Sequence, residues 1–279
     1  MTSKILTEHL IKEFKEYLIR EEKSNITIEK YVRDIQHFQR YAHLQEITKE
    51  LVIAYKKSLN ETGYAVRSIN SMLASLNSFF QFQGWGDCRV KSMKSQRQIY
   101  CAEDKELTKE EYMRLLNVAK KQPRLYLVIQ TICGTGIRVS ELSYFTVEAV
   151  KTGEVTVSCK NKTRIILLPR RLKKELLTYA KRCDIKTGVI FRTRSDRPLN
   201  RSNIWADMKR LCLEAQVNPS KVFPHNLRKL FARTFYGIEK DIVKLADILG
   251  HGNVETTRIY IMSTGIEHRR KIERLGLVI

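Results

Sequence analysis

LGHGNVETTRIY (residues 249–260) ends on Tyr260, nine residues after His251. Two segments further upstream carry more cationic side chains: HNLR at residues 225–228 and TGIRVSEL at residues 135–142. Together the three segments supply a tyrosine, arginines and histidines to a chain whose formal net charge is +21. A tyrosine surrounded by cationic hydrogen-bond donors is suited to attack on a phosphodiester.

The chemistry of a phosphodiester explains why these residue types belong together. Under attack the phosphorus becomes a pentacoordinate dianion, whose non-bridging oxygens need fixed cationic donors. Arginine offers a planar fork that matches two oxygens at once, and such preorganised charge is often the largest catalytic contribution. A tyrosine hydroxyl, with a pKa of about 10, needs a group that accepts its proton. The leaving 5′ oxygen needs a general acid, for which lysine or histidine is suited.

The three segments resemble the sequence boxes of the tyrosine recombinases, also called the lambda-integrase family, and in their order the Xer-type branch. The N-terminal segment LIKEFKEYLIREEKSNITIEKYVRDIQHFQRY is also similar to the family's core-binding domain. Each box alone is a modest signal, whereas three boxes in the right order are a strong one. The resemblance implies catalytic roles for Arg138 in the first box, His225 and Arg228 in the second, and His251 and the nucleophile Tyr260 in the third.

The family's remaining catalytic residue is a lysine in a β-hairpin between the two arginine boxes. GEVTVSCKNKTRIILLP (residues 153–169) fits that hairpin, because alternating apolar residues flank a short polar turn. The turn is shorter than is usual in the family. Alignment from the first strand favours Lys160 as the general acid, and Lys162 stays an alternative. A second departure from the family is Lys229, where many members carry a histidine.

Structural roles are the alternative interpretation of the same side chains. A lone tyrosine is more often a half-buried aromatic residue than a nucleophile, and Tyr144 and Tyr236 compete with Tyr260 for that role. Glu141 is expected to be structural: its carboxylate either orients the guanidinium of Arg138 or lies on a helix surface.

The resemblance implies a site-specific DNA recombinase that cleaves and rejoins DNA through a 3′-phosphotyrosyl intermediate and a Holliday junction. The reaction would serve DNA integration, excision, inversion or dimer resolution. The implied partners are double-stranded DNA with inverted half-sites, a tetramer on two DNA sites held through the C-terminal tail, and accessory DNA-bending factors. A relaxing enzyme of the type IB topoisomerase kind and a catalytically silent DNA-binding protein are the alternatives.

Composition fits a DNA-binding protein. Residues 1–100 carry 16 Lys and Arg against 11 Asp and Glu, and residues 101–279 carry 35 against 19. Both parts are therefore basic, as expected of two domains that grip DNA. No apolar stretch is long enough for a membrane span, and the N-terminus lacks the apolar core of a signal peptide, so we expect a cytoplasmic protein. The six cysteines form no CxxC pair, and no metal-ligand cluster or P-loop indicates a metal or cofactor.

Apolar periodicity predicts a mainly α fold with a small antiparallel β-sheet, and the resemblance implies the two-domain architecture of the tyrosine recombinases. Residues 1–90 form the expected core-binding, SAM-like DNA-binding domain, a bundle of four helices. Residues 91–103 form a basic interdomain linker. Residues 104–279 form the catalytic domain, which opens with a capping box at residues 108–111 and ends in a tail helix.

Further elements of the catalytic domain follow from local patterns. The first arginine box predicts a helix that carries Arg138, and the tripeptide VIF at residues 189–191 predicts a short strand. Other helices are expected near residues 124–133, 170–182, 201–216, 225–236, 240–249 and 253–261.

Overall fold

The computed structural model describes residues 4–94, 103–159, 162–193, 195, 197–262 and 265–277. The chain divides into two compact units, Met1–Arg97 and Gln98–Ile279, and each unit has an apolar core of its own. The predicted fold class is confirmed: both units are mainly helical, and two strands pair in an antiparallel sheet. Most of the predicted linker, residues 91–103, lies outside the described residues. Within the described part, no helix is long and apolar enough to cross a membrane.

The N-terminal unit is a bundle of helices that begin on polar caps. The side chains of Thr7, Ser24 and Thr48 each accept a backbone N–H of the first helical turn, which satisfies donors that the helix cannot use. Aromatic residues fill the centre, where Phe14 meets Phe79 edge to face with ring centroids 5.3 Å apart. The helices are α1 Glu8–Arg20, α2 Asn25–Ala42, α3 Lys49–Glu61 and α4 Val66–Phe82.

In the C-terminal unit, a short 3₁₀ helix, Glu103–Lys105, is followed by the predicted capping box. Thr108 accepts the backbone N–H of Glu111 at 3.2 Å, and the Glu111 carboxylate accepts the backbone N–H of Thr108 at 2.9 Å. The helices of this unit are α5 Lys109–Ala119, α6 Pro123–Thr135, α7 Val147–Thr152, α8 Arg170–Arg182, α9 Arg201–Glu214, α10 Pro224–Glu239, α11 Ile242–Leu249, α12 Val254–Ile261 and α13 Gly265–Glu273.

The predicted hairpin forms between α7 and α8. Its strands are β1 Glu154–Cys159 and β2 Lys162–Leu167. In their antiparallel register Val155 pairs with Ile166, and Val157 pairs with Arg164. The two valines and Ile166 are buried. Because directly paired residues lie on the same face of a sheet, Arg164 lies on the buried face of the hairpin.

Two glycines at helix ends bring the three sequence boxes together. Gly136 ends α6 with a φ of +66°, and a Cβ atom there would collide with the ring of Phe231 on α10. Gly250 ends α11 with a φ of +64°. Glycine is the residue that adopts this backbone conformation without strain. The chain can therefore turn sharply into Arg138 after α6 and into His251 after α11, while α10 packs against both α6 and α12.

Two local predictions were wrong. Arg138 does not lie in an α-helix but immediately precedes a 3₁₀ helix, Val139–Tyr144. The first turn closes tightly because the Arg138 carbonyl accepts the backbone N–H of Glu141 at 2.9 Å. The tripeptide VIF does not form a strand, and Val189 makes only an isolated bridge to Thr146. Strand pairing cannot extend from this bridge, because the chain enters α7 directly after Thr146, at Val147.

Candidate active site

Five of the six predicted catalytic residues are described, and the structure gathers them at the ends of four elements. Arg138 caps the 3₁₀ helix after α6, and His225 and Arg228 lie in the first turns of α10. His251 directly follows the Gly250 cap of α11, and Tyr260 lies in the last turn of α12.

Tyr260 is enclosed by the two predicted histidines and by one arginine. The residue is 7% exposed, and its ring meets His225 and His251 edge to face, with ring centroids 5.0 and 4.9 Å apart. The Arg228 guanidinium lies over the tyrosine ring, 6.0 Å from its centroid. The tyrosine Oη lies 3.4 Å from Nδ1 of His225. That distance is long for a hydrogen bond, as is common for catalytic pairs before substrate binds.

Arg228 is the most deeply buried charge of the site, with 1% of the residue exposed. Its Nη1 donates to the Gly136 carbonyl at 2.5 Å, and its Nη2 donates to the Leu249 carbonyl at 2.6 Å. Its Nε is buried and has no hydrogen-bond partner among the described residues. Burial, and next the neighbouring Arg138, lower the pKa of Arg228 to about 10, so the guanidinium still carries its charge at neutral pH.

The hydrogen bonds of His251 fix its tautomer. Nε2 lies 3.0 Å from Nη2 of Arg228, and Nδ1 lies 2.8 Å from Oγ1 of the fully buried Thr257. An arginine only donates hydrogen bonds, so Nε2 accepts, and the proton is on Nδ1, which donates to Thr257. Burial, followed by the charges of Arg228, Arg138 and Arg164, lowers the pKa of His251 to about 4.

His225 has a similar environment. Burial first, and then the charges of Lys229 and Arg228, lower the pKa of His225. The Nδ1 atom of His225 faces the Tyr260 hydroxyl. In one tautomer of the neutral imidazole Nδ1 carries the lone pair, and the other tautomer can convert to it. His225 is then able to accept the tyrosine proton.

Glu141 is buried and orients Arg138. Its two oxygens accept the Arg138 backbone N–H at 2.7 Å and Nη1 of Arg138 at 3.1 Å. The second guanidinium nitrogen of Arg138 donates to the Gly250 carbonyl at 3.2 Å. Burial would raise the pKa of Glu141, but hydrogen bonds from Arg164 and from the Arg138 backbone outweigh it and lower the pKa. Of the two structural roles considered for Glu141, the orienting role fits these contacts.

Two family models match this chain: the phage integrase family over residues 105–265, and the phage integrase N-terminal SAM-like domain over residues 11–85. The chain belongs to the phage integrase family. The resemblance to tyrosine recombinases is thereby confirmed. Tyrosine recombinase XerA of Pyrococcus furiosus is 30% identical to this chain over 288 residues, covering 100% of the chain and 98% of XerA. Tyrosine recombinase XerD of Halalkalibacterium halodurans is 28% identical over 264 residues, covering 85% of the chain and 87% of XerD.

Two solved structures share the fold of this chain. A lambda integrase dimer bound to a core site matches with a TM-score of 0.74 and 18% sequence identity, over 94% of this chain and 96% of the integrase chain. The XerH site-specific recombinase bound to its palindromic difH substrate matches with a TM-score of 0.71 and 18% identity, over 90% of this chain and 80% of XerH.

The hairpin lysine is the part of the predicted site that the structure does not place. Lys160 lies outside the described residues, as does the side chain of Lys162. The last described pair of the hairpin is Cys159 with Lys162. Among the residues that the structure describes, no group of three or more His, Cys, Asp or Glu side chains is arranged to hold a metal ion.

Sequence reasoning missed two residues that contact the predicted set. Thr257 fixes the tautomer of His251, and Arg164 binds both oxygens of Glu141. A signal for Arg164 was present in the sequence. The alternation that buries Val155 and Val157 also turns Arg164 inwards, and an arginine on a buried face needs a carboxylate partner.

We expect His251 to be neutral throughout the physiological pH range in the DNA-free protein, because burial and nearby cations hold its pKa at about 4. Long-range ¹H–¹⁵N NMR of histidine-labelled protein should show a proton on Nδ1 and none on Nε2. The folded pKa lies below the unfolded value of about 6.5. The unfolded chain therefore takes up a proton on this ring at a higher pH than the folded chain. As a result, the free energy of unfolding decreases as the pH falls from about 6.5 towards 4. The signal that is missing from the His251→Gln variant belongs to His251. A titration midpoint of that signal near pH 6.5 or higher would contradict the assignment.

Proposed function

We propose that the protein is a site-specific DNA recombinase that cuts and rejoins DNA through Tyr260. One observation carries the proposal: the Tyr260 hydroxyl lies beside a neutral His225 and a buried, charged Arg228. Arg228 has guanidinium hydrogens beyond those donated to the Gly136 and Leu249 carbonyls, and an anionic phosphate oxygen is a suitable acceptor for them. Membership of the phage integrase family and the names of the tyrosine recombinase relatives support the same conclusion.

The first step is a transesterification. The Tyr260 oxygen attacks the scissile phosphorus and gives up its proton to His225, while the bond from phosphorus to the 5′ oxygen breaks. The hairpin lysine, Lys160 with Lys162 as the alternative, protonates the leaving 5′ oxygen. The products are a 3′-phosphotyrosyl bond and a free 5′-hydroxyl. Attack of a partner strand's 5′-hydroxyl on that bond reverses the step, so the phosphodiester energy is kept and no energy cofactor is consumed.

The cationic side chains stabilise the transition state in this proposal. Arg138 and Arg228 donate to the non-bridging oxygens, where preorganised charge contributes most. His251 holds no proton on Nε2 in the free protein. An anionic phosphate favours the protonated imidazole, which then donates from Nε2 to a phosphate oxygen.

The assembly proposed for strand exchange is a tetramer on two DNA sites with inverted half-sites. A lambda integrase tetramer bound to a Holliday junction is among the solved structures that share the fold. Two rounds of strand exchange through such a junction complete the reaction, and accessory DNA-bending factors are the further partners in this proposal. A cytoplasmic location, where DNA is accessible, is part of the same proposal.

The C-terminal tail (residues 265–279) is proposed to join neighbouring protomers. In the isolated chain Glu267 on α13 pairs with Arg233 on α10 at 2.8 Å, so the start of the tail contacts its own domain. Further along, Ile272, Leu275 and Leu277 are exposed. Apolar side chains that their own domain leaves uncovered favour docking on a second copy.

We expect Tyr260→Phe to keep DNA binding and to form no covalent adduct with a nicked suicide substrate, because the attacking oxygen is gone. Denaturing gel electrophoresis of the protein–DNA adduct is the measurement. Tyr144→Phe and Tyr236→Phe are matched controls, since each removes one hydroxyl elsewhere in the same unit, and both should still form the adduct. An adduct in Tyr260→Phe would point to another nucleophile.

The hairpin lysine can be identified by chemical rescue. Lys160→Ala should cleave an ordinary substrate poorly and a 5′-bridging phosphorothiolate normally, since a thiolate leaves without a proton. Lys162→Ala is the matched control and should need no rescue. If only Lys162→Ala shows the rescue, the general acid is Lys162 and the predicted hairpin alignment is wrong by two residues.

Truncation after residue 264 should leave a folded protein that binds a single half-site and occupies two half-sites with less cooperativity. The exposed apolar side chains of the tail are removed, whereas Tyr260 and its contacts remain. A gel-shift titration on one and two half-sites measures the change. Unchanged cooperativity would contradict docking between protomers, and insolubility of the truncated protein would indicate that the tail covers its own core.

A further inference from the structure

Arg164 on β2 connects elements that carry two of the predicted catalytic residues. Its Nη1 donates to Oε1 of Glu141 at 2.9 Å, and its Nη2 donates to Oε2 at 2.7 Å. Its Nε donates to the Ile248 carbonyl near the end of α11 at 3.1 Å. Nε, Nη1 and Nη2 therefore each donate a hydrogen bond, and the side chain is only 14% exposed.

Glu141 is the shared partner of two arginines. The same carboxylate that binds Arg164 with both oxygens also accepts the backbone N–H and Nη1 of Arg138. The two arginines are not equivalent, because the Arg138 side chain is 37% exposed whereas the Arg164 side chain is mostly covered. Arg164 fixes the plane of the Glu141 carboxylate through a bidentate ion pair. The guanidinium of Arg138 stays partly exposed and is accessible to a ligand.

The second contact of Arg164 concerns the segment that leads into His251. A Cβ atom on Gly250 would lie 2.8 Å from Nη1 and 3.0 Å from Cδ of Arg164. The backbone of this glycine therefore packs directly on the arginine side chain. The Gly250 carbonyl accepts from Arg138, and the next residue is His251. Arg164 and Arg138 thus both contact the segment that leads into His251.

We propose that Arg164 is a positioning residue for DNA cleavage, which aligns Arg138 through Glu141 and holds the 248–250 segment that places His251. The inference rests on the proposed function for the reaction itself, but Arg164 and its own partners Glu141, Ile248 and Gly250 lie outside the six predicted catalytic residues. Lysine is a poor substitute at this position, because an ammonium group cannot bind both carboxylate oxygens in one plane and a backbone carbonyl in addition.

Displacement of a catalytic group by about 1 Å can cost about 10²-fold in rate. We therefore expect Arg164→Ala to form the covalent adduct about 10²-fold more slowly at saturating protein, with half-site affinity within about threefold of that of the unsubstituted chain. Arg164→Lys should recover only a small part of this loss. Arg171→Ala is the matched control: it also breaks an Arg–Glu pair, with Glu175 at 3.1 Å, but on the exposed surface of α8. Its cleavage rate should be unchanged.

A double-mutant cycle separates positioning from simple loss of folded protein. If Arg164 acts through Arg138, Arg164→Ala should cost less than about tenfold in an Arg138→Ala background, because the group that it aligns is already absent. A loss that is the same in both backgrounds, or cleavage by Arg164→Ala within threefold of the original rate, overturns the proposal.

An NMR readout tests the same contacts without relying on activity. The ring ¹⁵N signals of His251, identified with His251→Gln, should shift in Arg164→Lys and stay in place in Arg171→Ala. Shifted signals support the positioning role even if the unsubstituted protein forms no adduct, an outcome that would defeat the proposed function alone. Unmoved His251 signals in Arg164→Lys, in a protein that does form the adduct, overturn the positioning role alone.

Discussion

The burial of the Arg228 guanidinium is the constraint around which the catalytic unit is organised. A cation removed from water has to be compensated by acceptors, and Arg228 finds them at the C-terminal ends of α6 and α11, in the carbonyls of Gly136 and Leu249. The carbonyls at helix C-termini carry the negative end of the helix dipole, so each interaction also stabilises a helix end. The next residues along the chain lead into Arg138 and His251. One side chain on α10 therefore sets the spacing of all three sequence boxes.

This arrangement has an electrostatic cost that a substrate would relieve. Arg138 and Arg164 share one buried carboxylate, Glu141, whose charge also raises the pKa of Arg228 against the larger effect of burial. After burial, the charges of these arginines are what lower the pKa of His251, and burial together with Lys229 and Arg228 lowers that of His225. Both rings are consequently neutral and able to accept protons, while the arginines remain charged. A site with excess positive charge and neutral bases is complementary to a phosphate dianion and much less so to a neutral ligand.

Sequence patterns predicted the elements of this fold better than the contacts between them. Helical periodicity located α1 to α4, and the boxes located the chemistry, because spacing along one segment determines which residues share a face. The close approach of Phe231 to Gly136 joins residues that are far apart in sequence, and no local pattern reports it. Arg164 was missed for a related reason: alternation shows that it turns inwards, but only the fold shows that Glu141 is there to meet it. The 3₁₀ turn after Arg138 likewise depends on a side-chain contact from Glu141 that local helical propensity does not express.

Lys229 shows how a departure from the family pattern is accommodated by the rest of the unit. It follows Arg228 directly, and after burial its charge is the largest influence that lowers the pKa of His225. Glu106 offsets this charge. Its carboxylate is buried and accepts Nζ of Lys229 at 2.8 Å, with Arg233 further away at 3.5 Å. Of these two partners, a neutral side chain at position 229 would leave the buried carboxylate with the more distant arginine, which is costly. The lysine and Glu106 therefore constrain each other, and the segment that opens the catalytic unit is tied to the helix that carries His225 and Arg228.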